Sequence, residues 1–115
     1  MVVSVGFDID IYPGDAKAAT YIPYLDFEKE IGMLMELANH AIEDYNNRET
    51  TVYKYKVLCI EKVNYLRAKC REFFITVEAE NLTLRRLAIE AFQIHAYKGP
   101  HGENIVRLCR KRVLI

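Results

Sequence analysis

Residues 27–47, FEKEIGMLMELANHAIEDYNN, decide how the chain folds. Ile31, Leu34, Ala38, Ala41, Ile42 and Tyr45 recur at spacings of three and four, which aligns them on one side of an α-helix. Glu28, Glu30, Glu36, Glu43 and Asp44 fall mostly off that stripe. A helix with one apolar side needs a second layer to cover it, and the rest of the chain must supply that layer. Asp26 is placed to cap the helix, the early acids suit the positive end of its dipole, and Asn46 and Asn47 suit a left-handed exit.

After residue 47 the composition turns to β-branched and aromatic runs, which predict long antiparallel strands rather than further helix. The candidates are TVYKYKVLCIEKV (51–63), AKCREFFITVEA (68–79), LRRLAIEAFQIHAY (84–97) and NIVRLCRKRVLI (104–115). Phe73, Ile75, Val77 and Ala79 alternate with Phe74, Thr76 and Glu78, whereas 57–63 blurs its alternation as a strand with a bulge does. Turns are expected at AENLT (79–83) and KGPHGE (98–103). Residues 1–25 carry Pro13, Gly14 and Pro23 and read as an extended leader or short edge strand. The expectation is an α+β fold, with one long helix packed across a four- to five-stranded antiparallel sheet in a single domain over 26–115.

At 115 residues, 51% of them hydrophobic, the chain has core for one domain and no room for a second. Cys59, Cys70 and Cys109 are odd in number and form no closed disulfide framework. Cys59 and Cys109 sit inside strand patterns and are expected to be buried thiols, with Cys70 the exposed one. The N-terminal run lacks the basic region of a signal peptide, and no apolar stretch is long enough to span a bilayer, so the expected setting is the cytoplasm or nucleus. Net charge is zero, but residues 1–50 hold ten acids and three bases, and residues 51–115 six and thirteen. An acidic helix on a basic sheet accounts for that split.

The chemistry-bearing residues are dispersed. The cysteines and histidines form no recognised nucleophile–base motif and no close ligand pairs for zinc, and there is no paired-carboxylate pattern or glycine-rich phosphate loop, so neither an enzyme nor a cofactor is expected. The cation cluster RLCRKRV (107–113) lacks a recognition helix or RNA-binding signature in a chain of zero net charge, which argues against nucleic acid. Cations also keep an edge strand from pairing with other chains. Asn81, which opens an Asn-Leu-Thr sequon, reads as a turn residue.

Within the helix, LANHAIEDYN (37–46) resembles the helix signature of plant cystatins, which inhibit papain-like cysteine proteases. Leu37, Ala38, Ala41 and Asn46 match it outright, and Ile42, Asp44 and Tyr45 match by type, while Asn39 and His40 depart from it. The order that follows, with FFITVEA (73–79) where the family carries a similar run, extends the resemblance over about residues 27 to 113. It implies a cystatin-like fold and three contact segments: an N-terminal segment with a glycine, a Gln-x-Val-x-Gly loop in the first hairpin and a Pro-Trp loop in the second.

Carried onto this chain, Gly14 is the candidate N-terminal glycine and Leu66, Arg67, Ala68, Lys69 and Cys70 occupy the first loop. Gly99, Pro100, His101 and Gly102 occupy the second. The Gln and Gly of the first motif are absent, and the chain contains no tryptophan. The resemblance thus implies a protein partner. One expectation is a protein-interaction domain whose inhibitory loops have degenerated, inhibiting weakly or not at all. The other is a working reversible inhibitor of a papain-like protease. Because the family exchanges its helix and flanking strands between chains, a domain-swapped dimer is also expected.

Overall fold

The computed structural model describes Phe7 and residues 21–48, 52–66 and 71–112. A short strand β1 (Tyr21–Pro23) leads through a 3-10 turn (Phe27–Glu30) into one helix, α1 (Ile31–Asn46). Four strands follow: β2 (Tyr55–Leu66), β3 (Glu72–Asn81), β4 (Ile89–Lys98) and β5 (Asn104–Lys111). They form one antiparallel sheet in the order β1-β2-β3-β4-β5, so neighbours in sequence are neighbours in space and the helix bridges β1 to β2. The expected α+β arrangement is what forms, and β1 is the fifth strand.

Leu34, Leu37, Ala38 and Ala41 are fully buried under the helix, and Ile42 nearly so. They meet Val63 of β2, Phe73, Ile75 and Val77 of β3, Phe92 and Ile94 of β4 and Cys109 of β5. Ile31, assigned to the stripe from sequence, is 40% exposed instead. The first turn explains this: the Lys29 N–H bonds the Asp26 carbonyl at 3.0 Å, a 3-10 pattern that rotates residue 31 away from the core. The Asp26 carboxylate pairs with Lys29 Nζ at 3.5 Å and does not cap the helix. The exit also departs from expectation, since Asn47 stays right-handed at φ −89°. Asn46 instead reaches across to β2, where its amide nitrogen donates to the Tyr55 carbonyl (2.8 Å) and its oxygen accepts the Tyr55 N–H (2.9 Å).

The blurred pattern in β2 comes from two bulges, with Leu58 extra between Val57 and Cys59 and Glu61 extra between Ile60 and Lys62. Tyr55, Val57, Ile60, Val63 and Tyr65 therefore share the helix-facing side, opposite Asn81, Ala79, Val77, Ile75 and Phe73 of a regular β3. The first bulge turns Cys59 outward, which overturns its expected burial, while Cys109 is buried as expected. β4 begins at Ile89, later than the 84–97 candidate, because the Asn81 side-chain oxygen accepts the Thr83 and Leu84 N–H groups and folds the stretch before it into a loop. Asn81 itself is 3% exposed and engaged in that loop, so its sequon is structural.

The side of the sheet away from α1 is also partly covered. Phe74, Thr76, Asn64 and Gln93 are buried there, and the Phe7 ring meets Phe74 edge-on at 5.2 Å. Among the described residues no helix is long and apolar enough to cross a membrane.

Candidate functional site

Strand direction decides which connections can act together. β1 runs away from the end where Tyr21 faces Leu66, β2 runs toward that end and β3 leaves it, and β4 returns there before β5 departs. The entry to β1, the β2–β3 connection and the β4–β5 hairpin therefore share one end of the sheet. The last two are places to which sequence assigned contact residues. Gly14, Arg67, Ala68, Lys69 and Cys70 lie outside the described residues. Leu66 proves to be the last residue of β2, laddered to Tyr21 and Glu72, so it belongs to the strand and not to the loop tip.

The β4–β5 hairpin is fully described. The Gly102 N–H bonds the Gly99 carbonyl at 3.0 Å and the Gly99 N–H bonds the Glu103 carbonyl at 2.8 Å. Gly102 takes φ +81°, a conformation that side chains disfavour. The Glu103 carboxylate folds back to accept the His101 N–H at 3.1 Å and lies against Gly99, in the space a Cβ there would take. Pro100 and His101 are left exposed at a turn closed from both sides. Below the tip, Lys98 bonds Asn104 of β5 and pairs with Glu36 of α1, which ties the hairpin to the helix.

Two polar clusters that sequence reading missed brace the same end. Arg71 grips Glu30 with both terminal nitrogens (2.7 and 2.8 Å), and the Tyr24 hydroxyl donates to the same carboxylate at 2.7 Å. The Arg71 and Tyr24 hydrogen bonds hold the Glu30 carboxyl below its ordinary range, and the Glu30 bond raises the Tyr24 hydroxyl and the Arg71 guanidinium. The Arg71 guanidinium also lies 5.2 Å from the Phe73 ring centre. On the far face, His95 Nε2 and Glu72 Oε1 are 2.7 Å apart, and Arg107 approaches Glu72 at 3.6 Å while lying over the Tyr97 ring. No local pattern announces these clusters, because Glu30 and Arg71 stand 41 positions apart and meet only through the fold.

Among the described residues of this end, the exposed tip groups are a proline ring and an imidazole, and Glu30 with Arg71, and Glu72 with His95 and Arg107, are engaged with one another. Among the described residues no group of three or more histidines, cysteines or carboxylates is arranged to hold a metal ion. No protein-family model, curated protein or solved structure matches the chain.

Proposed function

We propose that the chain is a cystatin-like protein-interaction domain with degenerate inhibitory loops, binding its partner through the end of the sheet where β1 begins and the β2–β3 and β4–β5 connections lie. The observation that carries this reading is the tip of the β4–β5 hairpin. It is closed by backbone hydrogen bonds and exposed, yet it offers Pro100 and His101 where the resembled inhibitors offer Pro and Trp. A tryptophan anchor at the centre of an interface is typically worth at least about 2 kcal/mol, or some thirtyfold in affinity. In the first loop, Cys70 stands in place of a glycine that permits close backbone approach, and Arg67 and Lys69 bring long side chains that lose entropy when ordered.

The second reading, a working reversible inhibitor of papain-like proteases, is favoured by one specific observation: the start of β1, the end of β2 with the start of β3, and the β4–β5 hairpin fall at one end of the sheet, where a wedge would need its segments. Titration of papain separates the two. The domain should inhibit weakly or not at all. A variant carrying Leu66→Gln, Arg67→Val, Ala68→Val, Lys69→Ala, Cys70→Gly and His101→Trp should gain inhibition. Tight inhibition by the unaltered domain would establish the second reading and end the first.

A further inference from the structure

The opposite end of the sheet carries a surface that the proposed contact end does not use. The loop between β3 and β4 reads Leu82-Thr83-Leu84-Arg85-Arg86-Leu87-Ala88. Leu82 is 54% exposed and Leu87 70%, and Ile89, at the start of β4, is 49% exposed. These are large aliphatic groups gathered at one place rather than scattered singly. The start of the loop is anchored: the Leu82 N–H bonds the Lys54 carbonyl at 2.7 Å, the Lys54 N–H bonds the Thr83 hydroxyl at 2.8 Å, and Asn81 holds the next two N–H groups. A preordered loop spends little conformational entropy when a partner arrives.

The two arginines between the leucines differ from the other described arginines. Arg48, Arg71, Arg107, Arg110 and Arg112 each engage a carbonyl, a carboxylate, a side-chain amide or an aromatic ring. Among the described residues no such partner serves Arg85 or Arg86, and both are exposed. Arginine is enriched at protein interfaces, and exposed guanidinium groups beside aliphatic side chains offer a partner both charge and apolar contact.

We propose that this loop is a second docking surface, specific for a protein segment that carries carboxylates next to apolar side chains. Charge sets the sign of the partner: carboxylates meet Arg85 and Arg86 while apolar groups cover Leu82, Leu87 and Ile89. A narrow protein segment fits better than an anionic bilayer. Glu80 lies directly opposite Ile89 in the ladder, and Glu78 lines the recess of about 320 Å³ beside it, where Glu61 and Glu90 are paired with Arg112 and Lys111, so a broad anionic surface would press against Glu78 and Glu80. The proposal is independent of what the other end binds, and its failure would leave that reading untouched.

The test uses the whole chain and a fluorescein-labelled peptide of alternating glutamate and leucine, beside a peptide with lysine in place of glutamate. Fluorescence anisotropy should show binding of the acidic peptide only, weakening as salt is raised. Arg85→Glu with Arg86→Glu should weaken it more than tenfold, Leu82→Ser with Leu87→Ser should weaken it comparably, and Lys29→Glu should leave it unchanged. These positions are exposed, and near-ultraviolet circular dichroism confirms that each variant keeps its fold. The proposal is overturned if the acidic peptide does not bind, if either loop variant binds as the unaltered chain does, or if Lys29→Glu weakens binding equally. Retention of the chain on phosphatidylserine vesicles through these same residues would assign the loop to lipid and overturn it as well.

Discussion

Individual side chains show how much the fold changes what a residue can do. Burial lifts the Cys109 thiol to about 12, so it should resist labelling until the chain unfolds. Cys59 is exposed but also raised, first by partial burial and then by the Glu78 carboxylate 3.7 Å away. It should label in the native protein, slowly, and Glu78→Gln should accelerate it several-fold by lowering its pKa. Mass spectrometry after timed alkylation reads both outcomes. Glu30 makes a pH prediction with a definite sign. Its folded pKa lies below the unfolded one, so its contribution to stability is present above the ordinary carboxylate value and is lost as pH falls through the depressed one. Arg71→Ala should cost about 1 kcal/mol near neutrality, held to that size by partial exposure of the pair. Urea melts should show the difference vanishing in acid, and a difference that persists there would place the loss in the stacking on Phe73 rather than in the ion pair.

Among the helix, strands and hairpins, the sequence was most legible where periodicity was long. The stripe from Leu34 to Tyr45 and the alternation from Phe73 to Ala79 each repeat often enough to fix an element and its buried side. Ends were less legible, because they depend on bonds between elements. Asp26 looked like a cap and acts as a 3-10 turn acceptor, and Asn46 looked like a terminator and serves as a clamp on Tyr55. Asn46→Ala would leave the backbone donor and acceptor of a buried residue unsatisfied, a loss of about 1–3 kcal/mol in a denaturation midpoint experiment. Asn46→Asp keeps the acceptor but sets a carboxylate oxygen against the Tyr55 carbonyl, so it should lose at least as much. Of the candidate contact residues, Leu66 and the Gly99–Gly102 hairpin lie within the described residues. The hairpin's closed shape was not readable in advance, because it comes from backbone bonds among Gly99, Gly102 and Glu103 and from the Glu103 carboxylate accepting the His101 N–H.

For the domain as a unit, the antiparallel order places the segments of interest at the two ends of the strands, and a ten-residue strand such as β3 spans roughly 33 Å. A sequence pattern supplies strands but not their directions, so the shared end emerges only from the register. The long β2 and β3 on either side of one connection also suit exchange between chains, since a swapped dimer keeps nearly all native contacts. Size-exclusion chromatography after gentle heating should reveal a slowly formed dimer, and a chain that remains monomeric throughout would remove exchange from its repertoire. The two bulges of β2 have a further consequence for how this protein tolerates changes in length. Leu58 and Glu61 are surplus to the ladder, so removing either closes its bulge while every residue that faces α1 keeps its partner on β3. Losing one residue from the regular β3 would instead turn half of that strand inside out. Lineages of this chain are therefore free to shorten β2 by one or two residues and keep the same interior, while the length of β3 is locked.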